Sequence, residues 1–127
     1  MILVDTSVWA DHLRRGDKDL EGLLDGGLVL THPFVIGELA LGNLKEREAV
    51  LRALEDLPQA HVASDREVLH LIDRHALFGL GIGYIDAHLL AAARLTSGAS
   101  IWTRDKRLAN IADRLELTVA PARSTKT

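Results

Sequence analysis

Ile2-Leu3-Val4-Asp5-Thr6-Ser7-Val8-Trp9 decides how this chain is read, because three apolar residues run straight into an acid and two hydroxyl residues. A short continuous apolar run that stops at a polar residue predicts a buried strand over Ile2 to Asp5. Thr6 or Ser7 can cap a following helix, with Val8, Trp9 and Leu13 as its apolar positions and Gly16 as its end. In an open α/β sheet, sites form outside the carboxyl ends of the strands, so Asp5 stands where a site is built.

The strand-then-helix pattern repeats. Asp17 to Asp25 reads as a second short helix closed by Gly26-Gly27, and Leu28 to Thr31 as a second strand. Pro33 suits the first turn of a helix reaching about Leu44, and a helix from Glu46 to Leu57 is stopped by Pro58. His61 to Ala63 is a weak strand. Ser64-Asp65 caps a helix that turns Val68, Leu69, Leu71, Ile72 and Ala76 inward, and Gly79, Gly81 and Gly83 form a loose connection. Tyr84 to Leu95 is a strongly apolar helix, Ala99 to Trp102 a strand, Asp105 to Leu115 a helix and Leu117 to Val119 a last strand. Alternating short apolar strands and helices predict an α/β domain of three layers, α/β/α, around a central parallel sheet of four or five strands. Residues 1–120 make the domain and 121–127 a short tail, for which disorder and contact with a partner are both open.

Composition narrows the function classes. The 127 residues suit one domain, and 47% hydrophobic with 26% charged residues is ordinary for a globular chain. With no cysteine there can be no disulfide, thiolate metal site or cysteine nucleophile. No apolar run approaches the roughly 20 residues of a membrane helix, and Ile2-Leu3-Val4 is too short for a signal peptide. A cytoplasmic protein is expected. The net charge of −3 does not announce a nucleic-acid binder, so such contacts would need local basic groups such as Arg104 and Lys106, for which plain solvation is the equal alternative.

Four acids form a pattern. Asp5 follows one strand directly, and Asp105 stands three residues beyond Trp102, at the end of another, where it can reach the same edge. Glu38 shares its helix face with Phe34, Val35, Leu41 and Gly42, and Asp86 with Leu89, Leu90 and Ala93, so both acids are expected to point inward. Each has a plainer reading: Asp5 and Asp105 as helix caps, Glu38 in an ion pair, Asp86 favouring a helix dipole. Gathered together, four carboxylates repel until some protonate or a cation neutralises them. An all-oxygen set suits Mg²⁺ or Mn²⁺ rather than zinc. An ion so held, with open water positions, suits phosphodiester chemistry.

These residues resemble PIN domains, and within them the VapC-type toxins of bacterial toxin–antitoxin pairs. Ile2 to Trp9 looks like the family's first strand and acid. Glu38-Leu39 with Gly42 resembles its second motif, Asp86-Ala87 with Leu90 to Ala93 its third, and Trp102-Thr103-Arg104-Asp105 its fourth. The similarity runs from Met1 to about Val119. Leu108 departs from it, standing where many relatives carry an aromatic residue. The resemblance implies an endoribonuclease using Mg²⁺ or Mn²⁺, usually a homodimer, held inactive by a cognate antitoxin. It makes Asp5, Glu38 and Asp86 the main metal ligands and lets Asp105 complete the site, directly or through water. Thr6, Ser7 and Thr103 would orient the ligands or bind water. The reaction implied is attack of water on an RNA phosphodiester, leaving a 5′-phosphate and a 3′-hydroxyl. The alternatives are a receiver-like Mg²⁺-binding module, which would need a strand-end aspartate in mid-chain, and a non-catalytic PIN scaffold.

Overall fold

The protein is described here by a computed structural model covering residues 1–119. Ala120 and the tail expected over 121–127 lie outside the described residues. Its elements, in chain order, are β1 (Ile2–Val4), α1 (Thr6–Arg15), α2 (Lys18–Asp25), β2 (Val29–Leu30), α3 (Pro33–Ala40), α4 (Arg47–Glu55), α5 (Asp65–Arg74), α6 (Tyr84–Leu95), β3 (Ser100–Trp102) and α7 (Lys106–Arg114).

Leu3 and Val4 are adjacent and neither is exposed. Neighbouring strand residues point to opposite faces, so both faces of the sheet are covered, as a three-layer α/β domain requires. The strands run parallel in the order β2-β1-β3, with Leu3 aligned to Leu30 on one side and to Ile101 on the other. β1 is therefore central. The chain leaves it for β2 on one flank and later returns to β3 on the other. Such a reversal of strand order opens a crevice at the carboxyl end of the central strand, where Asp5 stands.

The described sheet has three strands, not the four or five expected. The missing edges survive as single parallel bridges, Thr31 with Gln59 and Ile101 with Thr118. At the first, Thr31 donates its N–H to Pro58 O (2.8 Å) and its own carbonyl accepts from Ala60 N (2.9 Å). Proline has no N–H to lengthen the ladder on its side. The strand expected over His61 to Ala63 does not form, because the His61 N–H turns to the Thr96 hydroxyl (2.8 Å). On the far edge, among the described residues, Ile101 donates its N–H to Leu117 O (2.6 Å).

Two helix boundaries also differ from the expectation. The N-cap of α1 is Asp5 itself, and Thr6 already lies in the helix. α3 ends at Ala40 rather than Leu44, and Leu41, expected on Glu38's inner face, is 90% exposed. Ser64 does cap α5, as the first half of a reciprocal pair with Glu67. α6 is buried on all sides from Ala87 to Ala93, which only a helix enclosed in the core can be. Its alanines allow close approach, and it packs on both α5 and β3.

His32 anchors the start of α3. It is fully buried, and its Nδ1 accepts the Phe34 N–H at 3.0 Å, so the ring proton sits on Nε2. Burial, together with the nearby His88, holds the ring down to about 4 and neutral near pH 7. A histidine depressed in the folded state stabilises the fold fully above its unfolded value of 6.5, and that stability is lost as the pH falls towards 4. His32→Asn keeps a capping acceptor but cannot titrate. Melting temperatures of wild type and His32→Asn between pH 7 and pH 5 should fall less steeply in the variant, and equal slopes would refute this role.

Candidate active site

Asp5 is 6% exposed and is held from three directions. Its Oδ2 accepts from Ser7 Oγ (2.7 Å), Thr103 Oγ1 (2.8 Å) and, more weakly, Ser7 N (3.3 Å). Its own N–H donates to Trp102 O at 2.9 Å, locking the end of β1 to β3. Ser7 Oγ and Thr103 Oγ1 lie 3.3 Å apart. Each hydroxyl has one proton, and the shorter contacts to Asp5 claim both, so that separation is a contact between acceptors. The hydroxyl lone pairs are filled in turn: Ser7 Oγ accepts Arg104 N (2.9 Å) and Thr103 Oγ1 accepts Asp105 N (3.0 Å). Among the described residues, Asp5 Oδ1 receives no hydrogen bond.

The other acids come in from three helices. Glu38, on α3, accepts the Thr6 hydroxyl at 2.6 Å, where α1 packs on α3. Asp105 caps α7 by accepting Leu108 N at 3.0 Å and is otherwise exposed. Asp86, in the first turn of α6, accepts Gly83 N at 3.2 Å. Asp86 also records the presence of the other three. Burial pushes its carboxyl up and the Gly83 N–H pulls it down, while the negative charges of Asp5, Asp105 and Glu38 each push it up again. Acids from residue 5 to residue 105 therefore share one electrostatic field.

Capping and site-building turn out to be compatible. Asp5 and Asp105 each give one oxygen to a helix N-terminus and keep the other. Glu38 has a hydroxyl donor rather than the basic partner the plainer reading required. Among the described residues none of the four carboxylates is ion-paired; the arginine and histidine partners go to Asp11, Asp17 and Asp65. Nor, among those residues, do any three His, Asp or Glu side chains close into a cage ready for an ion. The carboxylates are near enough to repel without being drawn onto a common centre. Their all-oxygen donors fit a hard divalent cation. His88 is turned away to Asp65 Oδ1 at 3.2 Å, and Leu108, the departure from the family pattern, is fully buried packing.

The two basic residues singled out in sequence behave differently. Lys106 is exposed at the start of α7, beside Asp105. The Arg104 guanidinium is drawn onto Asp17 and onto Asp11 (3.2 Å to Nε) and lies over the Trp102 ring at 5.7 Å. Sequence reasoning missed that capture, since Asp11 and Asp17 lie far away in the chain. It also passed over His32, although a residue just before a first-turn proline is a cap position and carried that signal.

The profile described as PIN domain matches residues 2–114. Ribonuclease VapC32 of Mycobacterium tuberculosis (strain CDC 1551 / Oshkosh) is 52% identical over 108 residues, spanning 85% of this chain and 87% of the relative. Ribonuclease VapC32 of strain ATCC 25618 / H37Rv matches with the same identity and coverage.

A raised folded-state carboxyl pKa means that ionised Asp86 costs stability: its contribution is most favourable below the unfolded value of 3.8 and is lost as the pH rises through the folded value. Asp86→Asn, which can still accept from Gly83, should melt at a higher temperature than wild type at pH 7. The advantage should shrink as the pH is lowered towards 3.8. A variant less stable than wild type at neutral pH would contradict the crowding of charge.

Proposed function

The chain belongs to the PIN-domain family, among its VapC-type members, and on that premise we propose that it is a metal-dependent endoribonuclease, the toxin of a toxin–antitoxin pair. The observation that carries the proposal is the field at Asp86, where three distant acids act on a fourth at the carboxyl edge of the sheet. Carboxylates crowded in this way, with no basic partner among the described residues, are arranged for a cation rather than for structural support.

In this reading Asp5, Glu38 and Asp86 hold Mg²⁺ or Mn²⁺, and Asp105 completes the set. The bound ion supplies Lewis-acid chemistry at an RNA phosphodiester, with hydrolysis leaving a 5′-phosphate and a 3′-hydroxyl. The protein's own part is positional. Ser7 and Thr103 fix Asp5 through Oδ2 and leave Oδ1, among the described residues, without a hydrogen bond. Thr6 sets the orientation of Glu38. Lys106 is placed to meet a backbone phosphate beside Asp105. Arg104 can do so only by exchanging Asp11 and Asp17 for the phosphate.

A groove of about 500 Å³ runs from Thr6 and Glu38 along Ala10, Leu13, Leu39 and Val50. An antitoxin segment lying in it would cover the approach to the carboxylates, and a lining that mixes these apolar groups with Arg14, Asn43 and Lys45 suits a protein ligand. Phe34 and Tyr84 are partly exposed and both lie against His88, an aromatic surface that supports a homodimer. Among the described residues no helix is long and apolar enough to cross a membrane; the cytoplasm is the setting proposed for an RNA-cutting toxin.

Purified protein incubated with total RNA should cut it only when Mg²⁺ or Mn²⁺ is supplied, and end-mapping should find 5′-phosphates. Asp5→Asn should lower the cleavage rate by about 100-fold or more, and Thr103→Val by roughly 10-fold, with the far-UV circular dichroism unchanged. Normal cutting by Asp5→Asn, or full activity in EDTA, would end the assignment.

A further inference from the structure

A second groove, of about 530 Å³, lies between α5 and α6. Its floor is aliphatic, made by Leu71, Ala91 and Leu95. Along one side run Arg66, His70 and Arg74, four residues apart and so on a single stripe of α5, with Arg94 of α6 among the lining residues. Among the described residues none of these arginines has an acidic partner. Glu67, the acid on the rim, is engaged in capping α5. The positive field is felt at His75, which burial and then the charges of Arg94, Arg74, Arg114 and His70 hold below its usual pKa. A chain of net charge −3 thus keeps an unneutralised cationic groove.

We propose that this groove docks an acidic, leucine-bearing segment of a partner polypeptide. A second copy of the chain presenting the same face would set arginines against arginines. The tail 121–127 carries Arg123 and Lys126 and has the wrong sign. A nucleic acid would satisfy the arginines, and His70 and His75 are rings among the lining residues, but no Phe, Tyr or Trp lines the groove and a sugar-phosphate backbone would leave the aliphatic floor uncovered. A peptide with carboxylates beside leucine side chains meets both requirements: guanidinium groups take carboxylates in paired hydrogen bonds, and the aliphatic floor buries the leucines. Arg94 lies two turns beyond Asp86 on α6, about 12 Å along the axis, so this surface is separate from the carboxylate site. The inference holds whether or not the chain cuts RNA.

Fluorescence anisotropy with a fluorescein-labelled helical peptide carrying glutamate and leucine at helix-face spacing tests it. Wild type should bind the peptide saturably. A peptide with glutamine for each glutamate should bind about tenfold more weakly, and R74Q/R94Q should weaken the glutamate peptide by about tenfold. Both arginines are exposed, so the melting curve of R74Q/R94Q should overlay wild type, and L95Q should weaken binding through the floor alone. Lack of saturable binding to wild type, or equal binding by R74Q/R94Q, overturns the proposal. So does an oligouridine probe in EDTA that loses affinity for R74Q/R94Q while the peptide does not, because the face would then serve nucleic acid.

Discussion

Repulsion among carboxylates at the edge of a parallel sheet is the constraint around which this molecule is organised. Charge of one sign, brought partly out of water, must be neutralised or must protonate. Here Asp86 absorbs the conflict, pushed up by burial and by Asp5, Asp105 and Glu38. The surrounding architecture makes that crowding unavoidable. β1 and β3 are joined by the Asp5 N–H to Trp102 O bond, which brings residues 5 and 103–105 to one corner. α6 is buried all round from Ala87 to Ala93, directly after Asp86, and so cannot carry that acid elsewhere.

The strain is contained by giving each acid a second task. Asp5 and Asp105 cap α1 and α7, so the helix N-termini, with their partial positive charge, help to hold the acids that the site brings together. Ser7 and Thr103 relay this arrangement across strands: each donates to Asp5 and accepts a backbone N–H from the segment after β3. One network therefore sets the helix starts, the strand pairing and the orientation of Asp5. Basic side chains are kept out of it. The ion pairs lie at Asp11, Asp17 and Asp65, and the arginines along α5 and at the end of α6 face a separate groove. Acidic and basic surfaces are thus divided between the two ends of α6.

Much of this was legible in the chain. The run Ile2-Leu3-Val4 before Asp5 announces a strand and an acid at its end, because an uninterrupted apolar triplet is stable only when both faces are covered. Most helices carry their caps locally, as Ser64 with Glu67 does, although Leu69, expected to face inward on α5, is 56% exposed. Less legible was the outer sheet. Whether 61–63 or 117–119 pairs depends on what a distant neighbour offers: Thr96 takes the His61 N–H, while Leu117 O finds the Ile101 N–H. The end of α3 was misplaced for a related reason: apolar spacing continued to Leu44, but Leu41 found nothing to pack against and is left in solvent.

Sequence by itself determined which acids stand at strand ends and helix starts, because periodicity, caps and residue type are local properties of the chain. Tertiary structure alone decided that these acids act on one another, that Thr6 rather than a base meets Glu38, and that Arg104 turns to Asp11 and Asp17. Coulomb and hydrogen-bond energies depend on distances between side chains, and for residues as far apart as 5 and 105 only the folded chain sets those distances.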